Sequence, residues 1–453
     1  MTRMDPHFSA SDLGRLFETG ALTPDEATEF YLARATELDR DHRIYMRHTQ
    51  TRARAEAAAA TERARRGMRL HPLDGVPLSW KDLFDSAGTA TEAGSLALKD
   101  RVPATDAAVL ARATRSGSVC LGKTAMTEFA FSGLGINPKC GTPANPFDET
   151  HERAPGGSSA GAAVALARGL CAGSIGTDTG GSIRIPPAWN GLVGLKTTTG
   201  RISLKGTVPL SPSFDTVGPI ARNVEDASAL FALLTGDKPS DLKSPSLNGV
   251  TLLLAGGVGW SELDAGIAGA VDNALRKALH KGVSIVERAV PEIDLIDALA
   301  WGGGASRLVA EAYALWSQTL TAHKDKIYPP VYDRVMAGAA ISTHALIKTD
   351  MERARLSRAY LERVSGFDAV VMPTVAISPP AISTIVDGGP DYFKANRMAL
   401  RNTTIGNQLG LCAITIPVGH DALGMPVGLM LQGLPYTEEK LLRIASAIEK
   451  ALH

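Results

Sequence analysis

Cysteine is scarce in this sequence, whose 453 residues contain four: Cys120, Cys140, Cys171 and Cys412. No two of them form a C-x-x-C pair or a zinc-ligand spacing, so the sequence predicts no metal site and no disulfide framework. We expect free thiols in a reducing cytoplasm, and no cofactor.

Long apolar runs and excess charge are also missing. No stretch of 18 apolar residues occurs, and the first residues hold no signal-peptide core, so we expect a cytoplasmic protein without a membrane partner. Lys plus Arg balances Asp plus Glu at 47 each, which gives no overall field to attract nucleic acid. A small molecule is therefore the expected partner, and a homodimer is left open.

The chain does contain the alternation of predicted helices and strands that is typical of an α/β protein. Residues 1–70 are predicted to be helical, and short strands, glycine turns and alanine-rich helices follow. Residues 250–290 have the pattern strand, helix, strand, which predicts a βαβ unit. Residues 291–366 are predicted to be mostly helical. Two later strands form an antiparallel pair around the turn HDALG, and a last helix starts at Thr437.

The segment GSVCLGKT, residues 117–124, matches the phosphate-loop pattern G-x-x-x-x-G-K-[ST]. That loop requires a strand before its first glycine. Here the preceding residues are helix-like, and the apolar Val119, Cys120 and Leu121 fall inside the supposed loop. We therefore predict a helix–turn–strand connection and no nucleotide site.

The segment GSSAG matches a nucleophile elbow centred on Ser159. An elbow joins a buried strand to a helix, but the residues before it, ETHERAPG, contain no apolar run. Chain order alone offers four histidines as bases, which is weak support; they are His280, His323, His344 and His420.

The stretch TDTGGSIRIPP, residues 177–187, raises a different question, because Ser182 has no histidine near it in sequence. A serine can instead be activated by a neutral lysine, whose pKa must then fall by roughly 3 units from ~10.4. Lys81 lies in the apolar segment GVPLSWKDLF, where burial would lower its pKa. Alone, such a lysine would usually be a surface residue.

The run PGGSSAGAAVALARGLCAGSIGTDTGGSIRIPPAWNG resembles the signature of the amidase signature family. The segments GVPLSWKDLFDSAG and LGKTAMTEFAFSGLGINPKCGTPANPFD resemble the family's lysine-bearing segment and the segment that leads into the signature. Further matches extend to the C-terminus. Three positions depart from the common pattern: Trp80, Cys140 and the segment KTTTG.

The resemblance implies a single α/β domain over residues 1–453, with a mixed, mostly parallel sheet covered by helices on both faces. It divides the chain into an N-terminal helical segment at 1–70, a catalytic core at 71–240 and a helical cover over the substrate pocket at 291–366. Trp301 and Trp316 would lie in that cover.

The resemblance also implies a triad in which Ser182 is the nucleophile, Ser158 the bridging serine and Lys81 the base. The family carries a cis peptide bond before the bridging serine, here Gly157–Ser158. The backbone N–H groups that would surround the oxyanion are those of Thr179, Gly180, Gly181 and Ser182. Asp178 and Arg184 would orient this loop without exchanging protons.

The expected activity is hydrolysis of a small carboxamide to a carboxylic acid and ammonia or an amine. Five residues match a segment that borders the substrate channel in relatives: Ala130, Phe131, Leu134, Ile136 and Cys140. Their apolar character favours an aliphatic or aryl substrate. The alternative is the glutaminase subunit of a tRNA-dependent amidotransferase, which works only in a complex.

Overall fold

A computed structural model describes residues 3–148, 150–242, 246–302 and 305–452. In these ranges one sheet of eleven strands runs through the molecule in the order β1-β3-β2-β4-β6-β5-β10-β11-β9-β7-β8. The strands are β1 (Tyr45–His48), β2 (Pro77–Lys81), β3 (Val119–Thr124), β4 (Gly173–Asp178), β5 (Val193–Lys196), β6 (Thr216–Ala221), β7 (Thr251–Ala255), β8 (Ser284–Arg288), β9 (Ala369–Pro373), β10 (Cys412–His420) and β11 (Pro426–Gly433).

The sheet is mixed, as predicted, but it is not mostly parallel. Two parallel groups, β3-β2-β4 and β9-β7-β8, stand on either side of a block of antiparallel neighbours, and six of the ten pairings in the described chain are antiparallel. For one of the six, the pair β10 and β11, the reason is the length of the connection. Only five residues connect them, and so short a connection joins antiparallel strands alone.

Helices flank the sheet, and α5, α7, α8 and α14 pack directly on its strands. None of the described helices has the length and apolar character needed to cross a membrane. The α-helices are α1 (Ala10–Thr19), α2 (Pro24–Leu38), α3 (Gln50–Arg65), α4 (Ala108–Arg115), α5 (Ala160–Ala167), α6 (Ile185–Trp189), α7 (Val224–Thr235), α8 (Ile267–His280), α9 (Pro291–Trp301), α10 (Arg307–Ala322), α11 (Pro329–Met336), α12 (Thr343–Val364), α13 (Pro390–Gln408) and α14 (Glu438–Leu452).

The described part of the N-terminal segment contains the helices α1 to α3, joined by turns, and the short strand β1, which the sequence analysis did not predict. This strand has four residues and pairs antiparallel with β3 at the edge of the sheet. The carboxylate of Asp39 supports the approach to it by accepting hydrogen bonds from three successive N–H groups, those of Arg43, Ile44 and Tyr45. A strand so short leaves no alternation that sequence periodicity can detect.

The phosphate-loop look-alike is the predicted helix–turn–strand connection. Helix α4 ends at Arg115, Gly117 turns the chain with φ +93°, and Val119 begins the fully buried strand β3. The residues that would have to wrap a phosphate form part of the sheet, so they are not free to do so.

The later predictions also hold. Strands β7 and β8 are parallel and joined by α8, and α9 to α12 occupy most of residues 291–366. Strands β10 and β11 form the predicted antiparallel pair, and α14 begins one residue after Thr437. All these elements extend or cover the one sheet, so the chain forms a single α/β domain.

Trp80 occupies the interior next to the end of β2. Its side chain is fully buried and meets Phe84 edge-on, with ring centroids 5.3 Å apart. Its indole Nε1 has no hydrogen-bond partner among the described residues, so packing is the contribution that this side chain makes.

We expect Trp80→Ala to lower the free energy of unfolding by about 3–5 kcal/mol, because it leaves a large cavity. Trp80→Phe should lower the free energy of unfolding by less than half of that amount, because it keeps an aromatic ring and removes no hydrogen bond. Urea denaturation of the two variants and the parent measures both values. An equal loss of unfolding free energy in the two variants would show that Trp80 does not act through packing alone.

Candidate active site

The three residues predicted as a triad come from neighbouring parts of the sheet. Lys81 is the last residue of β2, and Ser182 follows the end of β4, which is the parallel neighbour of β2. Parallel neighbours end at the same edge of a sheet. Ser158 lies just before α5 and is fully buried.

Lys81 and Ser158 are in direct contact. The Nζ atom of Lys81 lies 2.7 Å from Oγ of Ser158 and 2.9 Å from Oγ1 of Thr177. The peptide bond Gly157–Ser158 is cis. A Cβ atom on Gly157 would lie 2.5 Å from the backbone nitrogen of Gly135, so only glycine fits there.

Burial lowers the pKa of Lys81 to about 7, although the negative charges of Asp178 and Asp215 oppose this change. The side chain is fully buried, and neither carboxylate lies within ion-pair distance of it. A neutral amine is therefore well populated near pH 7, which is what a base for a hydroxyl group requires.

The turn Thr179–Ser182 presents unused backbone donors. Among the described residues, none of its four N–H groups donates a hydrogen bond to the protein. The carbonyl oxygen of Gly180 accepts a hydrogen bond of 2.7 Å from Oγ1 of Thr403. Because the C=O and N–H of a trans peptide point in opposite directions, this bond turns the N–H of Gly181 away from α13.

Gly181 could not be another residue without disturbing this turn. Its φ is +148°, and a Cβ atom there would lie 2.2 Å from Oγ1 of Thr403. The second glycine of TDTGG therefore reflects both the backbone conformation and the close approach of α13.

Asp178 and Arg184 form a fully buried ion pair behind the turn. Both guanidinium Nε and Nη2 donate to the carboxylate, at 3.1 and 3.0 Å, and the carboxylate also accepts from the N–H of Ile183 and from Nδ2 of Asn407. Burial alone would raise the pKa of Asp178, but the charges of Arg184 and Lys196 hold it below its ordinary value.

Asp215 is a buried carboxylate beside the turn that the sequence analysis did not select. It accepts from Oγ1 of Thr179 at 2.5 Å and from the N–H groups of Leu210 and Ser211. Burial raises its pKa to about 6, while these hydrogen bonds and the nearby Lys81 act in the opposite direction. Its place in the loop PSFDTVG gave no signal stronger than an ordinary turn residue.

Helix α13 supplies further residues that the sequence analysis missed. Thr403 and Asn407 hold the turn and the ion pair, and Asn396 accepts from the hydroxyl of Ser132 and the N–H of Gly133. The available signal was the polar run RNTTIGNQ inside a helix, where asparagine and threonine are unfavourable unless they bond to something.

Ser182 lines a cavity of about 190 Å³. Predicted residues Ala130 and Phe131 line it, as does Trp301. Apolar side chains form most of its wall: Ala130, Phe131, Leu210, Ala300, Trp301, Leu308, Val309 and Leu400. The polar members in the described chain are Ser132, Thr179, Ser182, Ser306, Arg334, Thr404 and Gln408.

Leu134, Ile136 and Cys140 were expected to line the channel, and the structure places none of them on the cavity wall. Leu134 and Ile136 are 0 % exposed members of the core. The chain is drawn inward at Gly135, where a Cβ atom would lie 2.6 Å from the carbonyl oxygen of Gly156. Trp316 is also off the wall; it packs on Phe129, with ring centroids 4.8 Å apart.

The competing serine and its histidines are not on the cavity wall. Ser159 is buried and its hydroxyl donates to the carbonyl of Thr177 at 3.3 Å. None of the four histidines considered as bases is on the described cavity wall.

Comparison with known proteins agrees with this geometry. The profile of the family described as Amidase matches residues 26–442. The chain belongs to the amidase family. It is therefore an amide hydrolase that acts on C–N bonds, and its fold is the amidase signature fold.

Individual relatives differ in what they are named for. A 2-amino-5-chloromuconic acid deaminase of Comamonas testosteroni is 38% identical over 88% of this chain and 86% of its own. The A subunit of the glutamyl-tRNA(Gln) amidotransferase of Anaeromyxobacter sp. (strain K) is 33% identical over 95% of this chain and 94% of its own. A solved amidase structure superposes with a TM-score of 0.86 at 30% identity, over 98% of this chain and 99% of that one.

We expect Asp178→Asn to lower the free energy of unfolding by about 3–5 kcal/mol, because it leaves the Arg184 charge buried without its counterion. The matched control is Asp272→Asn, which breaks an i,i+4 pair with Arg276 whose side chains are 61% and 64% exposed. That change should cost no more than about 0.5 kcal/mol. Similar small losses for both variants in urea denaturation would show that the buried pair does not stabilise the turn.

Proposed function

We propose that this amidase hydrolyses a small carboxamide through a covalent acyl-enzyme on Ser182, with Ser158 and Lys81 moving the protons. The observation that carries the proposal is the contact between a fully buried lysine and Ser158, at the same edge of the sheet as a serine that lines the cavity. The pKa of about 7 for Lys81 supports a role as base.

The first half of the reaction forms the acyl-enzyme. Oγ of Ser182 attacks the amide carbonyl carbon, its proton passes to Ser158, and the proton of Ser158 passes to the neutral amine of Lys81. The C–N bond then breaks, and the proton returns through Ser158 to the leaving nitrogen, which departs as ammonia or an amine. Water attacks the ester by the same relay and releases the carboxylic acid.

The second link of this relay must form when substrate binds. Among the described residues no hydrogen bond joins Ser158 to Ser182, whereas the link between Lys81 and Ser158 is already made. Catalytic hydrogen bonds are often completed only in the complex with substrate.

The free N–H groups of residues 179–182 would stabilise the oxyanion. Each such donor contributes about 3–4 kcal/mol to transition-state stabilisation when it is held in place beforehand. The bond from Thr403 to Gly180 and the Asp178–Arg184 pair supply that support, so we assign these residues a positioning role and no proton transfer.

The substrate that fits is small and has an apolar or aryl acyl group. The cavity is smaller than the roughly 300–1,000 Å³ of sites for drug-sized ligands, and its wall is largely apolar. Residues of α9 to α11 form part of that wall, in keeping with a cover at 291–366. The name of the Comamonas relative, a deaminase of a small organic acid, is consistent with release of ammonia.

The relative from the amidotransferase supports a second candidate, a glutaminase that acts within a complex. The two are distinguished by ammonia release from a panel of carboxamides by the purified chain. Hydrolysis of glutamine alone, and only with partner proteins present, would favour the second. The cytoplasmic location and the homodimer remain predictions. Cell fractionation tests the location, and light scattering tests the oligomeric state.

We expect Ser182→Ala and Lys81→Ala each to lower kcat by roughly 10⁴-fold or more, because the residues of such a relay act as a unit. Ser159→Ala, which removes the adjacent hydroxyl, should change kcat by less than about threefold. Ammonia release under saturating substrate measures all three. Parent-like turnover in Lys81→Ala would overturn the assignment of the base.

The activity should also depend on the protonation of Lys81. The neutral amine is the active form, so kcat/KM should fall about tenfold per pH unit below pH about 7 and level off above it. The measurement is a pH profile from 5 to 9 with a neutral carboxamide. A profile that is flat between pH 5.5 and 8.5 would show that no group with this pKa acts as the base.

A further inference from the structure

The cavity that holds Ser182 contains one charged side chain among the described residues of its wall, Arg334 on α11. Every other side chain on that wall is apolar or neutral. A lone cation in a largely apolar cavity is unusual, because a charge taken out of water is costly unless it is paired.

The guanidinium is held on one side and free on the other. Its Nη1 donates to the carbonyl oxygen of Phe131 at 2.6 Å, and its Cζ lies 4.0 Å from the centre of the Phe131 ring. Nε and Nη2 donate to no acceptor in the described chain. The two contacts with Phe131 fix the plane of the group and leave part of its fork of donors available.

No described carboxylate lies within 4 Å of Arg334 to balance its charge. Burial lowers the pKa of this guanidinium, which shows that its surroundings disfavour the charge. Arg184 provides the contrast within the same site, because its fully buried guanidinium has Asp178 as a counterion. The protein thus pairs one arginine internally and leaves the other facing the cavity.

We propose that Arg334 binds a carboxylate of the substrate, so that the natural substrate is an acidic carboxamide, such as the monoamide of a small dicarboxylic acid. The proposal rests on the proposed amide hydrolysis at Ser182 and narrows its substrate class. A planar carboxylate matches the fork of a guanidinium, and the apolar wall suits the carbon skeleton between the two ends. The amide end would lie at Ser182, and the acid end at Arg334.

The test compares two substrates of nearly the same shape, terephthalamate and its neutral diamide, terephthalamide, with succinamate and succinamide as an aliphatic pair. For at least one pair, the parent enzyme should show kcat/KM about 10- to 150-fold higher for the acid, the range that corresponds to a charge-assisted hydrogen bond of about 1.5–3 kcal/mol. Arg334→Gln should remove this preference through a rise in KM for the acid, and it should lower kcat/KM for the acid much more than kcat/KM for the neutral diamide. Arg334→Lys should restore part of it.

Arg201→Gln is the matched control. Arg201 is also a half-buried arginine stacked on a phenylalanine, with its Cζ 5.4 Å from the Phe231 ring, but it lies outside the cavity and pairs with Asp237 and Glu439. It should leave the preference unchanged. A second measurement uses the parent protein and so does not depend on the folding of a variant. Terephthalate should inhibit carboxamide hydrolysis competitively, and more strongly than terephthalamide.

The outcomes separate this inference from the proposed function. Efficient hydrolysis of the diamides with no preference for the acids would overturn the carboxylate site and leave amide hydrolysis at Ser182 standing. An equal loss for acid and diamide in Arg334→Gln would show that Arg334 only supports Phe131, and would also overturn it. No hydrolysis of any carboxamide would instead contradict the proposed function.

Discussion

The buried ion pair between Asp178 and Arg184 is the interaction on which the site depends. It joins the end of β4 to the start of α6, and through Asn407 and the carbonyl of Thr403 it reaches α13. The four-residue turn between β4 and α6 has no helix or strand of its own to hold it. The ion pair and Thr403 therefore set its shape from behind. Its backbone N–H groups are held in place in this way and make no hydrogen bond to the described protein.

Lys81 illustrates the opposite use of burial. Arg184 is buried with Asp178 as its counterion, whereas Lys81 has no described carboxylate within ion-pair distance, and burial lowers the pKa of its amine to about 7. Both side chains belong to one site, yet the arginine is held in an ion pair, whereas the lysine is the group that we propose as the base. Both groups are fully buried, so the difference lies in the counterion that Asp178 gives to Arg184 and in the guanidinium itself, which holds its proton far more tightly than an amine does.

Sequence could predict the parts of this site that local pattern determines. The serines, the lysine and the glycine-rich turn lie in ordered motifs, and the helical stretch at 291–366 has clear periodicity. What it could not predict depends on contacts between distant segments. Thr403 and Asn407 matter because α13 packs on the turn, and Arg334 matters because α11 faces Phe131. Strand β1 was missed because four residues at a sheet edge carry too little pattern, and the antiparallel majority of the sheet follows from pairing order, which no single segment encodes.

Different helices hold the turn and line the cavity, and this has a consequence for how the substrate preference of such an enzyme can change in evolution. The hydroxyl of Thr403 steadies the turn, while Leu400 and Thr404, on the same helix, face the cavity. Helices α9 to α11, by contrast, contribute to the cavity and, within the described ranges, make no hydrogen bond to the turn itself. Substitutions in those three helices can therefore change which molecule fits the cavity while the turn and Lys81 keep their positions. Substitutions in α13 alter the cavity and the turn at once. New substrate preferences are therefore more easily gained through changes in α9 to α11 than through changes in α13.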